Sequence, residues 1–356
     1  MRSHKTYPSI LAKLVERADL SREESATAMV ELISGNLSDS QIAAFLIALK
    51  SKGESLEEIL GFRDAILANT TPITSNRDLL DIVGTGGDPY GAVINVSSVS
   101  SIVVAASGVP VAKHGNRAAS SSSGASDLLS ALGINLDLTP HQVQAVLEAE
   151  NITFIFAAKF HEGFRHAAKA RKEISIPTIF NILGPLCNPA LPRANAVGVS
   201  SADRLEQVAG VFANLGVSAL VFRGQDGLDK LTTTTVSRVF EVSKAKKMEH
   251  IVDPVQLGIR PAVPADLLGA GPEENAAIAL DILGGKKGPC RDIVALNAAA
   301  GLVAYDLERD PALIERSLTD RLKEKLVIAE DIIDSGSASE KLKSWIRASN
   351  LPNANL

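Results

Sequence analysis

The segment GTGGDPYGAVINVSS, residues 84–98, directly follows the apolar run LLDIV at 79–83. Gly84, Gly86 and Gly87 can take positive φ at little cost, which lets a phosphate lie against bare backbone. Asp88 adds a carboxylate. Asn95, Val96, Ser97 and Ser98 open a helix whose free N–H groups and dipole favour an anion. The spacing is neither GxxxxGK[ST] nor GxGxxG, so no standard nucleotide motif accounts for it. A tight turn and a helix cap use the same residue types, but three glycines, an aspartate and an Asn-x-Ser-Ser start together favour phosphate binding.

Three further clusters carry chemistry. In AKHGNRAASSSSGASD, residues 112–127, Lys113, His114 and Arg117 flank Asn116, and serines 120–123 precede Gly124. Cations, hydroxyls and a glycine before a helix describe a second anion site. A serine run is commonly a solvated linker, yet this one is wedged between a strand pattern and a helix pattern. Next, a helix expected over 161–173 sets His161, Phe164, Ala168 and Arg171 within roughly 80° of arc. An apolar wall with an imidazole at one end and a guanidinium at the other suits a small aromatic acid, with Arg171 on its carboxylate. The same pattern describes a plain amphipathic helix with both side chains at its rim, and alone it favours that simpler reading. His166 and Lys172 fall on other faces and are expected in solvent. Finally, in GQDGLDKLTTTT, residues 224–235, Asp226 and Asp229 suit Mg²⁺, which takes one or two carboxylates plus substrate phosphates. A surface turn rich in Asp and Gly is the competing reading. No Ser-His-Asp order, HExxH or CxxC occurs, so neither a covalent nucleophile nor a zinc site is expected.

The elements that must position these residues change character along the chain. Ser21 with Glu24, Ser38 with Gln41 and Ser55 with Glu58 each have the form of a capping box. Apolar residues then recur at helical spacing, and Gly35 and Gly53 stand where helix-ending glycines belong. Residues 1–72 therefore read as a helical domain, joined by a later helical segment. From 78 to 350 short apolar runs at 79–83, 109–112, 152–157, 178–181, 196–199, 219–222 and 239–242 alternate with helix patterns at 96–107, 124–132, 140–150, 161–173 and 202–215. That alternation predicts an α/β domain with a mostly parallel central sheet. Ligands bind at the carboxyl ends of such strands, where the glycine and serine loops fall. Helices over 291–304, 311–335 and 337–348 are expected to close the chain.

Bulk properties bound the answer without sharpening it. The 356 residues are 46% hydrophobic, 22% charged and only 4% aromatic, as in an ordinary globular protein whose core is aliphatic. No uninterrupted apolar stretch reaches about 18 residues, and residues 1–5 do not lead into an apolar signal core, so no membrane association is expected. Two cysteines form no framework, which makes a reducing cytoplasm the expected compartment. A net charge of −5 gives no footprint for nucleic acid.

Taken in order, GTGGD, KHGNR with its serine run, FxxxFHxxFRHAAxxR, PTIFNILGPLCNPA and DGLDxLTTTT resemble the anthranilate phosphoribosyltransferase family, a glycosyltransferase of tryptophan biosynthesis. The resemblance extends from the N-terminal helices to RDIVALNAAAG at 291–301. It implies a nucleoside-phosphorylase-like fold, a homodimer, Mg²⁺, and the reaction of anthranilate with 5-phosphoribosyl 1-diphosphate to N-(5-phosphoribosyl)anthranilate and diphosphate. By that resemblance the diphosphate substrate meets Gly84, Thr85, Gly86, Gly87, Asp88, Asn95, Val96, Ser97, Ser98, Lys113, His114, Gly115, Asn116, Arg117, Ala118, Ala119, Ser120 and Ser121. Anthranilate meets Gly84, His114, Gly115, Asn116, His161, Phe164, Arg171 and Gly184. Ser97 and Asp229 are the implied metal ligands. No acid or base is assigned; Lys113, Asn116 and Arg171 act by position and charge. Three departures from the family pattern stand out: a longer stretch at 89–94, Ser122 in place of a basic residue, and Lys230 in place of a glutamate. We expect Lys230 to touch diphosphate and assume part of one metal's role; the alternative is a side chain turned to solvent. Two other functions remain compatible with these elements: a pyrimidine nucleoside phosphorylase, discriminated by thymidine with phosphate, and a non-catalytic nucleic-acid-binding relative, discriminated by a DNA shift assay across salt.

Overall fold

The computed structural model describes residues 3–87, 89–117 and 123–351. The chain divides into two units, Met1–Pro72 with Ala157–Pro189, and Ile73–Phe156 with Ala190–Leu356.

The first unit is helical. It begins with α1 (Ser3–Val15), α2 (Arg22–Ile33), α3 (Asp39–Lys52) and α4 (Leu56–Ala68). The three expected capping boxes are formed, each hydroxyl accepting from its N3 amide while the N3 side chain accepts from the cap residue's own N–H. Leu32, Phe45, Leu49, Ile59 and Phe62 are fully buried between these helices. The returning segment supplies a 3₁₀ turn Glu162–Phe164 and a helix Arg165–Ile174, which packs on α2 and α3.

Two expectations fail in this segment. The helix predicted over 161–173 does not begin at His161; it breaks at Gly163 and starts at Arg165. A Cβ on Gly163 would lie 2.6 Å from the Ile33 carbonyl, so close approach to the end of α2 selects a helix-weakening glycine there. The strand predicted over 178–181 is instead a helical turn, Phe180–Leu183, continued by a 3₁₀ turn Gly184–Leu186. The Thr178 N–H donates to Asn181 Oδ1 at 2.9 Å, a local bond that starts a helix and competes with a ladder.

The second unit is a seven-stranded sheet ordered β3-β2-β1-β4-β5-β6-β7. Its strands are β1 (Leu80–Gly84), β2 (Val111–Gly115), β3 (Ile152–Phe156), β4 (Ala194–Gly198), β5 (Ser218–Gly224), β6 (Ser237–Ser243) and β7 (Lys246–Val252). The first five are parallel; β6 and β7 continue the sheet antiparallel. The fold class is therefore the expected one, a small helical domain and a larger α/β domain with a mostly parallel sheet. The helix α5 (Val96–Ala106) and the long helix Pro289–Arg309 pack on this sheet and on each other. The helix expected over 311–335 is interrupted, a 3₁₀ stretch Pro311–Glu315 preceding Leu318–Asp334. Ser317 caps that second helix, its hydroxyl accepting from the Asp320 N–H. Among the described residues no helix is long and apolar enough to cross a membrane.

Candidate functional site

The strand order positions the glycine loop. From β1 the chain builds outward through β2 and β3, then returns to place β4 on the other side of β1. Ligand crevices of open α/β sheets form at that reversal, beyond the carboxyl ends of the strands. Gly84 and Gly198 are register partners at these ends. A Cβ on Gly84 would overlap Asp229 Oδ2, and one on Gly198 would overlap the Asp229 carbonyl. Gly84 is thus favoured by close approach of the Asp229 side chain, whereas Gly86 (φ 72°) and Gly87 (φ 86°) have positive φ. The Thr85 N–H donates to the Gly198 carbonyl at 2.9 Å, and the Ser200 N–H to Thr85 Oγ1 at 3.1 Å. Asp88 lies outside the described residues, as do Ala118, Ala119, Ser120, Ser121 and Ser122.

Asp229 is 8% exposed. Its Oδ2 accepts from the Gly86 N–H at 2.8 Å and its Oδ1 from Lys230 Nζ at 2.6 Å. The Lys230 side chain is 13% exposed, so it is paired beside the glycine loop and not turned to solvent. Asp226 has a different task. Its carboxylate accepts from the Leu228 N–H and from the Thr232 and Thr234 hydroxyls, closing the turn after β5. Asp226 thus has a part in building this turn.

Lys113, on β2, is fully buried and points to the end of β1. Nζ donates to the Ile82 carbonyl at 2.8 Å and lies 3.5 Å from Ser97 Oγ. Burial pushes its pKa down to about 8, against the opposing pull of Asp81 and Asp229. Asp81, buried on β1, accepts from the His114 N–H at 3.1 Å and so fixes β2 beside it. Gly115 is again a close-approach glycine, 2.9 Å from the Phe154 ring if it carried a Cβ. Asn116 and Arg117 are exposed; Asn116 Oδ1 accepts from the Arg117 N–H, and the Arg117 guanidinium lies 5.9 Å from the Phe156 ring centroid. Asn95 caps α5 by position only, since its side chain makes no capping bond. Val96 and Ser98 are buried, and Ser97 is half-buried.

The helical unit holds the remaining candidates. His161 is buried, with Nδ1 2.9 Å from Thr70 Oγ1. Burial lowers its pKa to about 4, against a hydrogen bond to the Cys187 backbone, so the ring is neutral at pH 7. Although no continuous helix joins them, His161 and Phe164 stack at 5.2 Å between ring centroids. Phe164 meets Phe180 edge-on, and the Arg171 guanidinium lies 4.9 Å from the Phe180 ring centroid. Burial lowers the Arg171 pKa. Ala168 is exposed, so the expected apolar wall is built by Phe164 and Phe180. Gly184 opens the 3₁₀ turn, and the Cys187 N–H donates to its carbonyl. Lys172 is exposed as expected, whereas His166 is half-buried, and a Cβ on Gly35 would lie 2.7 Å from its ring.

Sequence reasoning missed Ser200, Arg223 and Asn297. Arg223 Nε donates to the Ser200 carbonyl at 2.7 Å, fixing the loop after β4. Asn297 brackets Leu231, accepting from its N–H at 3.0 Å and donating to its carbonyl at 2.8 Å. Only the VGVSS pattern after β4 offered a signal, because it repeats the small-residue loop of β1.

Comparison with known proteins gives consistent findings. Residues 76–339 match the glycosyl transferase family a/b domain, and residues 8–70 its helical bundle domain. The anthranilate phosphoribosyltransferase of Clavibacter michiganensis subsp. michiganensis is 51% identical over 348 residues, covering 98% of this chain and 99% of that one. That of Leifsonia xyli subsp. xyli is 52% identical with the same coverage. The crystal structure of the Thermus thermophilus anthranilate phosphoribosyltransferase superposes with a TM-score of 0.88 at 38% identity, covering 96% of this chain and 99% of that one. The Saccharomyces cerevisiae enzyme in complex with PRPP and Mg superposes with a TM-score of 0.85 at 28% identity, covering 97% and 98%.

Proposed function

The chain belongs to the anthranilate phosphoribosyltransferase family, and from that premise we propose how its own residues transfer the 5-phosphoribosyl group of 5-phosphoribosyl 1-diphosphate to the amine of anthranilate. The observation that carries the assignment of residues is the meeting of Gly84, Gly86 and Asp229 at the reversal of strand order, with Lys113 Nζ on the Ile82 carbonyl at the end of β1.

The glycine loop 84–87 and the start of α5 hold the phosphoribosyl diphosphate. Bare backbone at Gly86 and Gly87 admits its oxygens, and the N–H groups at the start of α5 with the Ser97 and Ser98 hydroxyls supply donors. Lys113 places an ammonium at the same end of the sheet. The donor chemistry fits Mg²⁺: Ser97 and Asp229 offer hard oxygens, and among the described residues each Asp229 oxygen accepts a single hydrogen bond, which leaves lone pairs for a metal carried mainly by substrate phosphates. When bound, Mg²⁺ supplies charge stabilisation to the departing diphosphate. Lys230, already beside Asp229, adds a fixed positive charge that touches the diphosphate and takes over part of that load.

Anthranilate is held by Arg171 at its carboxylate, with His161, Phe164 and Gly184 around the ring. The neutral His161 donates or accepts a hydrogen bond without adding charge. As the ribosyl C1 bond to diphosphate lengthens, positive charge grows on the ring and negative charge on the leaving group. Lys113 opposes the latter from a buried position, where a charge acts through little screening. The arylamine lone pair forms the new C1–N bond while diphosphate takes the electrons of the broken C1–O bond. The amine proton becomes acidic only after that step and then passes to water, so orientation, not a strong base, is the protein's main contribution. The active form is a homodimer.

Loss of anthranilate fluorescence with phosphoribosyl diphosphate and Mg²⁺, against a control lacking the diphosphate, tests the reading. Rapid, diphosphate-dependent loss is expected; folded protein that leaves the fluorescence unchanged rejects it.

A further inference from the structure

The stretch between the glycine loop and α5 is held from a distant part of the sequence. Val93 forms an antiparallel bridge with Leu268. The Ile94 N–H donates to the Leu267 carbonyl at 3.1 Å, and the Gly269 N–H to the Ala92 carbonyl at 2.7 Å. Just beyond this bridge lies the helix Pro272–Leu283, whose Asn275 is 2% exposed. Asn275 Nδ2 donates to Asn95 Oδ1 at 3.0 Å, while its Oδ1 accepts from the Ala270 N–H at 2.9 Å. Asn95 Oδ1 also accepts from Ser123 Oγ at 3.2 Å, and its Nδ2 donates to the Ser123 carbonyl at 2.9 Å. This network explains why Asn95 does not cap α5 with its side chain: the amide is committed to Asn275 and Ser123. It also explains Gly269, where a Cβ would overlap Asn275 Oδ1.

We propose that Asn275 is a positioning residue for phosphoribosyl diphosphate, fixing through Asn95 the start of α5 and the Ser123 end of the serine run. This rests on the reading of Asn95, Ser97 and Ser98 as contacts of that substrate. The network has a direction. Asn95 presents its oxygen to two donors and its nitrogen to one acceptor. An aspartate at 275 keeps the side-chain shape and the acceptor for Ala270, but sets an oxygen against Asn95 Oδ1. Rotating the Asn95 amide to meet it would set Oδ1 against the Ser123 carbonyl. No rotation satisfies both contacts, so the start of α5 loses its fixed register while the apolar packing of the helix Pro272–Leu283 is untouched.

Steady-state kinetics of Asn275→Asp, Asn95→Ala and the double variant test this, with melting temperatures measured alongside. Asn275→Asp is expected to raise KM for phosphoribosyl diphosphate at least tenfold and leave KM for anthranilate within twofold. In the double variant it should add less than twofold to the effect of Asn95→Ala. Unchanged KM values, equal rises for both substrates, or fully multiplicative effects overturn the proposal. Should Asn275→Asp not fold, hydrogen exchange on the unaltered protein decides. Phosphoribosyl diphosphate with Mg²⁺ should slow the amides of Ile94 and Gly269 together with those of 84–87. Protection of 84–87 with no change at 94 and 269 rejects the coupling. An unaltered protein that transfers no phosphoribosyl group overturns the functional reading and this inference with it, whereas active protein with indifferent variants overturns the inference alone.

Discussion

The Asp229 carboxylate accepts one backbone amide and one ammonium in a setting almost closed to solvent, and that pairing sets the charge beside the glycine loop. Replacing Lys230 by glutamate would change the local charge by two units and put two carboxylates side by side, an arrangement that attracts a divalent cation before any phosphate arrives. Calorimetry should therefore detect Mg²⁺ binding to Lys230→Glu without substrate, and none to the unaltered protein until phosphoribosyl diphosphate is present. Identical metal dependence in both would reject a role for Lys230. His161 gives a prediction of another kind. Its folded pKa of about 4 lies below its ordinary value of 6.5, because burial penalises the imidazolium. As pH falls through 6.5 the unfolded chain takes up the proton that the folded one refuses, so stability is lost between pH 6.5 and about 4. The shift corresponds to roughly 3 kcal/mol. Urea unfolding should show His161→Asn losing less stability than the unaltered protein over that window by about that amount; parallel losses would contradict it. The transfer rate should show no inflection from His161 between pH 6 and 8.

At the scale of elements, Gly84 and Gly198 carry the same residue type under different constraints. A Cβ at Gly84 meets the tip of the Asp229 side chain, which can swing aside, whereas one at Gly198 meets the Asp229 carbonyl and must move backbone. Gly198→Ala is expected to cost about 2–4 kcal/mol in urea unfolding, in the range of overpacked sites. Gly84→Ala should cost less than about 1.5 kcal/mol yet lower kcat/KM by about a hundredfold, since it displaces a side chain of the site. Equal stability losses in the two would show the distinction to be wrong. The same pair marks the limit of sequence reading. The strand before the glycine loop was legible from its apolar run, and the helix Ala202–Leu215 from its 3.6-residue period and the glycine that ends it. The capping boxes were legible because both partners lie within one turn. That Gly84 answers to Asp229, or Asn95 to Asn275, was not, because those partners lie far along the chain and are single polar residues without a pattern. β7 was missed because KKMEHIV is a largely exposed edge strand with no sustained apolar alternation. The turn at Phe180–Leu183 was misread because four apolar-rich residues support either period.

At the scale of the whole molecule, the helical unit is discontinuous in sequence, and its second piece is structural. Lys169 pairs with Asp39 at 2.7 Å, Arg63 Nε donates to the Leu186 carbonyl at 2.9 Å, and His166 lies over Gly35. A fragment of residues 1–72 lacks all of these partners. Its α3 amides should exchange at least tenfold faster than in the full chain, and joining 157–189 through a flexible linker should restore their protection. Full protection in the short fragment would show the returning segment to be dispensable. The segment that completes this unit ends more than a hundred residues after the first piece does. At roughly 5–20 residues per second of synthesis, the ribosome completes that piece roughly six to twenty-three seconds after Pro72. The first four helices therefore meet water on a face they later cover, and their assembly is timed by translation as much as by their own caps.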